Sequence, residues 1–205
     1  LEAKLLLYKQ FKEVAKYFKI KLEVVITEGK QPIGNGFGPI LEMLDVVAVL
    51  SGRRPVPDLR EKSLFLAAEI MKLCGLKESR KKAEYLLDSG KAYEKFKQII
   101  AIQDEISRRV PEDFDEKLLK LKPAQFSKLI YAEKSGEIVE INNKKINSLA
   151  RMLGTPETIS AGIYLHKHLG KVKKGELLMT LYSESKDKLA DGLEYISESA
   201  PIIIK

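Results

Sequence analysis

A glycine-rich turn is the first stretch of this chain whose residue types and spacing could serve chemistry. In EGKQPIGNGFGPILEMLD, residues 28–45, Gly34, Gly36 and Gly38 alternate with other residues between a β-branched run and an apolar helical run. The N–H groups at such a junction can bind an anion such as phosphate. The turn lacks the Gly-Lys-Ser/Thr of a P-loop and the later glycine of a dinucleotide fingerprint. A structural turn that needs positive φ therefore stays the alternative.

Two carboxylates follow the turn. Glu42 and Asp45 are three residues apart, so a helix would place both on one face. Such a pair could transfer protons or bind a cation. The alternative is an ordinary solvated edge of the helix.

Two histidines are the remaining candidates. His166 and His168 are the only histidines of the chain, and a strand would place both on one side, where they could bind a metal. The sequence offers no obvious third ligand, so we expect exposed strand residues near a turn instead. Nothing else pairs a nucleophile with a base, and the sequence assigns no catalytic residue.

The elements that must position these residues are predicted from hydrophobic periodicity. Apolar positions recur at helical spacing in residues 3–19, and Gly38-Pro39 opens a second helix, because proline is tolerated in the first turn. Asp58 and Glu61 form a capping-box pattern before a third helix. Further helices are predicted over residues 79–89, 91–108, 145–154 and 188–200.

Strands are predicted from alternation and β-branched composition. The run KLEVVIT, residues 21–27, predicts a buried strand. Residues 132–143 predict another, residues 161–185 two strands joined by a turn, and PIIIK a last strand. The chain therefore divides into a mainly helical part up to about residue 110 and an α+β part after it.

The sequence LGKVKKGELLMTLYSE, residues 169–184, resembles half of a biotinyl- or lipoyl-type domain. In such a domain a Gly-x-Val-x-x-Gly turn joins two strands of a flattened barrel. Lys144 and Lys145 in INNKKINS do not match the lysine that would carry the prosthetic group at a hairpin tip. We therefore predict a barrel-like module without a prosthetic group.

Composition narrows the class of protein. The formal charge is +7, but the basic residues are separated pairs amid acidic residues, which favours a solvated Lys/Glu-rich surface over a nucleic-acid interface. The apolar runs are too short to span a bilayer, so no membrane partner is expected. The single cysteine, Cys74, fits a reducing, cytoplasmic location, and we expect it to be a small buried helix residue. Because the chain begins at Leu1 rather than Met, we also expect a fragment or a processed chain.

Three blocks of the sequence, in order, resemble the pyrimidine-nucleoside and thymidine phosphorylase family. ITEGKQPIGNGFGPILEMLDVVAVLSG, residues 26–52, is similar to that family's Gln-Pro-Leu-Gly signature followed by an acidic apolar helix. Gly36 and Pro39 resemble the archaeal branch, the AMP phosphorylases. LAAEIMKLCG with AEYLLDSGKAYEKFKQIIAIQ resembles the family's helical segment. NKKINSLARMLG and AGIYLHKHLGKVKKGELLMTLYSES resemble the C-terminal domain of the archaeal branch.

The resemblance implies an α/β (α+β) fold in two parts. Residues 1–110 would be the second half of the large α/β phosphorylase domain, including its helical segment. Residues 111–205 would be a C-terminal α+β, barrel-sandwich-like domain. A homodimer or a larger homo-oligomer is also implied.

The implied activity is a glycosyl transfer in which inorganic phosphate, as co-substrate, cleaves the N-glycosidic bond of a nucleotide or nucleoside. For the archaeal branch, AMP would give adenine and ribose 1,5-bisphosphate. The family's phosphate loop and base-binding residues lie N-terminal to residue 1, so no catalytic or substrate-binding residue is carried over. We expect the chain to be inactive alone. Thymidine or another pyrimidine nucleoside as substrate, and a non-catalytic oligomerisation or assembly module, stay open as alternatives.

The resemblance also implies a cation site, although it implies no required cofactor. In bacterial relatives a monovalent cation such as K⁺ is held beside the phosphate loop by two carbonyls of the glycine turn and one helix carboxylate. These positions match Ile33, Gly36 and Asp45, where aspartate stands for the bacterial glutamate. The turn would then support the phosphate loop from behind rather than bind phosphate itself.

Overall fold

The computed structural model describes residues 2–103 and 110–205. Within these ranges the chain has eight helices and seven short strands, and the predicted mixed α+β fold class is confirmed. None of the helices described is long and apolar enough to cross a membrane. In chain order the elements are α1 (Glu2–Tyr17), β1 (Gly36–Phe37), α2 (Pro39–Ser51), α3 (Pro57–Leu73), α4 (Ser79–Asp88), α5 (Lys91–Gln103), α6 (Phe114–Leu119), β2 (Phe126–Tyr131), β3 (Gly136–Ile141), α7 (Asn143–Leu153), β4 (Gly162–Leu165), β5 (Gly170–Val172), β6 (Leu177–Ser183), α8 (Lys186–Ser199) and β7 (Ile202–Ile204).

The helices of the first half occur where periodicity predicts them. Helix α2 begins at Pro39, directly after Gly38, and the left-handed Gly52 ends it. The predicted end of α5 at residue 108 lies outside the described residues. Helices α2 to α5 pack on one another around a small set of buried side chains, among them Leu41, Leu64, Ala68 and Ala83.

The predicted capping box before α3 is wrong. Helix α3 begins at Pro57, because a proline in the first turn already has helical φ, and Asp58 therefore lies inside that turn. Its carboxylate instead accepts the backbone N–H of Gly34 at 2.9 Å. The aspartate thus ties the start of α3 to the glycine turn.

The predicted buried strand over residues 21–27 is wrong. This segment has no regular structure, and Ile26 is 75% exposed. β-branched residues form a strand only where a neighbouring strand pairs with them, and no described strand pairs with this segment. Cys74 was also expected to be buried, but it is exposed because it lies at the C-cap of α3 rather than on its packed face.

The second half contains two antiparallel sheets. One has the strand order β1-β4-β6-β2 and the other has the order β5-β3-β7. The strands predicted within 132–143 and at PIIIK are confirmed as β3 and β7. Residues 161–185 contain three strands rather than the two predicted, since β5 is a separate short strand in the other sheet. Helix α6 and strand β2 were not predicted.

The main apolar core belongs to this second half. Helices α7 and α8 pack together and against β6, and each begins at a capping side chain: Asn142 accepts the N–H of Lys145, and Ser185 that of Lys188. Burial of this core is nearly complete, which makes it a rigid platform. Its most buried side chains are Ile138, Ile141, Ile146, Leu149, Leu153, Ile163, Leu165, Met179 and Leu181.

Strand β1 joins the helical part to this platform. Its two residues pair with β4, Gly36 opposite Tyr164 and Phe37 opposite Ile163. The pairing crosses the predicted domain boundary near residue 110, and that boundary stays a prediction. The glycine turn is therefore positioned by α2 and α3 on one side and by the four-stranded sheet on the other.

The close approach of Gly38 to β4 gives a stability prediction. Gly38 has φ +116°, and a Cβ there would collide with the carbonyl oxygen of Ala161. We expect Gly38→Ala to lower the free energy of unfolding by about 2–4 kcal/mol, from backbone strain and overpacking together. Urea denaturation measures this change.

Gly175→Ala is the matched control, since Gly175 also has positive φ but open space where its Cβ would be. It should cost only about 1 kcal/mol. Equal losses in the two variants would mean that contact with β4 does not constrain the turn.

Candidate functional site

The glycine turn has the backbone that its sequence predicts. Gly34 and Gly38 have φ values of +77° and +116°, so the expected need for left-handed conformations is confirmed at both. Gly36 serves a different purpose, because a Cβ there would collide with the backbone of Leu41 in α2. The three glycines let the chain turn sharply and lie directly against the helix that follows.

The carboxylate of Asp45 holds the turn from inside. Asp45 is 2% exposed, and its Oδ2 accepts the backbone N–H groups of Asn35 at 2.6 Å and Gly36 at 2.8 Å. Glu42, on the same helix, is exposed and accepts the N–H of Gly38 at 3.2 Å. A solvated edge therefore describes Glu42, and it is the wrong description for Asp45.

The second oxygen of Asp45 is bound by an arginine. Arg54 Nη2 donates to Asp45 Oδ1 at 2.6 Å, and Nη1 of the same guanidinium donates to the hydroxyl of Tyr164 at 2.5 Å. The guanidinium also lies 5.6 Å from the centre of the Tyr164 ring, within cation–π distance. One planar fork thus connects the carboxylate under the turn to strand β4.

The two histidines follow β4 and do not share a site. His168 Nε2 lies 2.7 Å from Asn35 Oδ1, and Asn35 Nδ2 donates to the Tyr164 hydroxyl at 3.2 Å. Since an amide oxygen only accepts, His168 Nε2 carries a proton and donates. His166 Nε2 lies 2.8 Å from Thr180 Oγ1 instead, and partial burial lowers the pKa of His166 below its usual value.

Other contacts fasten the same loop to the turn. The backbone N–H of Leu165 donates to the carbonyl of Asn35, and that of Leu169 donates to Gln31 Oε1. The turn, Arg54 and the segment after β4 therefore form one polar cluster, which we call the turn cluster: Gln31, Asn35, Asp45, Arg54, Asp58, Tyr164 and His168.

Sequence reasoning found Asp45 and His168 in this cluster but missed Asn35, Arg54 and Tyr164. Arg54 is one of two adjacent arginines in SGRRPVPD, and no local pattern separates it from Arg53, which bonds Asp115 instead. Tyr164 is 110 residues away from Arg54 along the chain. Only the pairing of β1 with β4 brings them together.

The cation site implied for Ile33, Gly36 and Asp45 stays a prediction. Ile33 and Gly36 flank the turn, and the Asp45 carboxylate lies beneath it with the three donors described above. Across residues 2–103 and 110–205, no group of three His, Cys, Asp or Glu side chains comes together in a way that could hold a metal. A cation would therefore depend on carbonyl oxygens beside this one carboxylate.

This chain is similar in sequence to known proteins. Residues 137–202 match the pyrimidine nucleoside phosphorylase C-terminal domain. The chain is 36% identical to "Putative thymidine phosphorylase" of Legionella pneumophila (strain Paris), over 98% of this chain and 37% of that protein. It is also 36% identical to "AMP phosphorylase" of Natronomonas pharaonis, over 90% of this chain and 36% of that protein. The chain thus spans little more than a third of the length of these relatives.

The family model covers the α+β part of the chain, and the two relatives also cover the helical segment and the glycine turn. The matches to both halves of this arrangement confirm the resemblance found in the sequence. The chain corresponds by these matches to the C-terminal region of the nucleoside phosphorylase family.

The burial of Asp45 leads to a direct prediction. Asp45→Asn keeps the volume but places an NH₂ group among donors and leaves Arg54 without its anion. We expect the free energy of unfolding to fall by about 2–3 kcal/mol, measured by urea denaturation. Glu42→Gln, on the same helix but exposed, should change it by less than about 0.5 kcal/mol. Similar effects of the two substitutions would contradict a structural role for Asp45.

His166 gives a pH prediction. Because burial lowers its pKa in the folded state, the folded chain binds fewer protons at this site than the unfolded chain. The free energy of unfolding should stay constant above about pH 6.5, which is the usual pKa of histidine, and should fall as the pH drops through the lowered pKa of His166. An NMR titration of the imidazole measures that pKa directly.

Unfolding between about pH 7 and pH 5 tests the consequence while the carboxylates stay largely ionised. His166→Gln should flatten the pH dependence in that interval. An unchanged slope in the variant, or an imidazole that titrates above the usual value, would contradict the assignment.

Proposed function

We propose that this chain is the C-terminal part of a pentosyltransferase that cleaves the N-glycosidic bond of AMP with inorganic phosphate. The products are adenine and ribose 1,5-bisphosphate. The observation that carries this proposal is the 36% identity to "AMP phosphorylase" over 90% of the chain. The Gly36 and Pro39 positions of the turn, which resemble the archaeal branch, support the same choice of substrate.

In this reaction an oxygen of phosphate attacks C1′ of the ribose, the bond from C1′ to the base nitrogen breaks, and the base leaves with a proton. Most of the rate of such a transfer comes from holding the two reactants in line and stabilising developing charge. The described residues supply the support for that geometry. The turn cluster fixes a loop between a helix N-terminus and a rigid sheet, and the phosphate loop of the complete protein would lie against it.

A large exposed apolar surface supports the second part of the proposal, that the chain works as one part of a larger cleft. Phe11, Phe18 and Ile26 are 53%, 64% and 75% exposed, and they lie along α1 and the segment after it. Exposed apolar residues in such number mark a protein interface. The relatives are nearly three times as long as the chain, so we assign this surface to contact with the rest of the phosphorylase polypeptide.

Two alternatives to phosphorolysis of AMP remain. Thymidine or another pyrimidine nucleoside is the substrate if the name of the matching domain and of the Legionella relative describes this chain better. A non-catalytic assembly module is the second alternative, and the exposed surface of α1 favours it too, because a second copy of the chain could cover that surface. In each of these cases we propose a homodimer or a larger homo-oligomer for the complete protein, and a location in the cytoplasm.

Phosphorolysis assays separate these possibilities. The 205-residue chain and the complete gene product are each incubated with inorganic phosphate and AMP, CMP, UMP, thymidine or uridine, and the released base is measured by chromatography. We expect base release from AMP by the complete product, and none by the 205-residue chain, because we place the groups that touch substrate in the rest of the polypeptide. Thymidine or uridine as the preferred substrate would overturn the choice of AMP. Activity of the chain alone would overturn the division of the cleft.

Sedimentation of the 205-residue chain tests the assembly alternative. If the 205-residue chain sediments as a monomer and only the complete product forms an oligomer, the result supports contact of the α1 surface with the rest of the polypeptide. A stable dimer of the chain that is broken by Phe11→Asp or Phe18→Asp, together with an inactive complete product, would favour the assembly module. Tyr85→Asp is the control, since Tyr85 is also exposed but lies on α4, away from this surface.

A further inference from the structure

The residues present at Asp45 do not fit the monovalent cation that the resemblance implies. Both carboxylate oxygens already accept hydrogen bonds, Oδ2 from the N–H groups of Asn35 and Gly36 and Oδ1 from Arg54. A cation bound here would lie within a few ångströms of the guanidinium. Two positive charges that close repel each other, and water screens them only in part, because Arg54 is partly exposed while Asp45 is buried.

We propose that Arg54 takes the place of the cation in this chain and makes the glycine turn independent of K⁺. The guanidinium supplies the positive charge that a buried carboxylate needs. It is held there by two further contacts, the hydrogen bond from Nη1 to the Tyr164 hydroxyl and the approach to the Tyr164 ring. The planar fork directs one N–H group at the Asp45 carboxylate and one at the Tyr164 hydroxyl, which fixes its orientation.

The arginine joins two distant parts of the chain, because its guanidinium bonds both Asp45 and Tyr164. Tyr164 lies on β4 opposite Gly36, so the fork bridges from the carboxylate under the turn to the strand that pairs with the turn. Asn35 reaches the same tyrosine hydroxyl from the turn itself, at 3.2 Å. Arg54 is therefore a positioning residue for the turn, acting through Asp45 and Tyr164.

The adjacent arginine provides a matched control. Arg53 has the same charge and a similar exposure, but it bonds Asp115, near α5 and α6. It makes no contact with Asp45 or Tyr164 in the described hydrogen bonds. Replacing either arginine changes the net charge equally, so a difference between them reports on the turn cluster alone.

The first measurement uses the wild-type 205-residue chain and needs no variant. Thermal unfolding is followed in KCl and in tetramethylammonium chloride at equal ionic strength, because the larger ion screens charge but is too large for a site of protein oxygens. We expect the same melting temperature in both salts. A saturable rise with K⁺ would overturn the proposal and restore the cation site.

The second measurement compares variants. Arg54→Gln should lower the melting temperature by about 5 °C, and Arg53→Gln by less than about 2 °C, as for an exposed ion pair. The double variant Asp45→Asn with Arg54→Gln should lose clearly less than the sum of the single losses, because each variant removes the same interaction. Additive losses would overturn the assignment.

If Arg54→Gln does not fold, the same measurement can be made on Arg54→Lys, because lysine keeps the positive charge but lacks the planar fork. It should melt below the wild type, since lysine cannot reach both Asp45 and Tyr164 in the same way. A lysine variant as stable as the wild type would overturn the role of the fork. These readouts are stabilities, so they stand whether or not phosphorolysis of AMP is found.

Discussion

The buried carboxylate of Asp45 is the interaction on which the rest of this structure depends. A turn with glycines at alternate positions has backbone N–H groups that no helix or sheet pairs, and such groups are costly to leave unbonded inside a protein. Asp45 accepts two of them, from Asn35 and Gly36, and Asp58 accepts the one before, from Gly34. Two helices thus supply the acceptors, α2 through Asp45 and the first turn of α3 through Asp58, and the glycine turn can have only the path that satisfies both.

Polar, directional contacts fix how the helical half meets the sheet. Apolar surfaces can slide by an ångström at small cost, whereas a carboxylate bonded by a guanidinium and two N–H groups cannot. The strand β1 is only two residues long, so its pairing with β4 would be weak alone. The side-chain contacts from Arg54 to Tyr164 and from His168 to Asn35 hold it in register. The rigidity of this junction therefore depends on a few side-chain contacts, and the loss of any one of them should weaken it.

What the sequence could predict follows from the range of the interactions involved. Helices α2, α4 and α8 depend on local spacing and caps, and the positive φ of Gly34 and Gly38 depends on glycine itself, so both were predictable. The segment over residues 21–27 was not, because β-branched composition predicts a strand only when a partner strand exists. The burial of Asp45 was missed for a similar reason. A carboxylate on a helix is usually solvated, and only the fold shows that donors from the turn and from Arg54 converge on it.

The polar junction and the exposed apolar surface have different physical consequences. Both oxygens of the Asp45 carboxylate are bonded by donors of the same chain, so the geometry of the turn is set before any other protein or substrate is bound. The apolar surface around Phe11 and Phe18 is exposed to water, and covering it with another protein surface would be stabilising. A catalytic cleft assembled from two parts needs both properties: one wall whose geometry is formed before assembly, here the turn cluster, and one apolar surface that binds the other part. If the wall were instead shaped by the partner, binding would have to supply the cost of ordering it, and less of that energy would remain to align phosphate with the sugar.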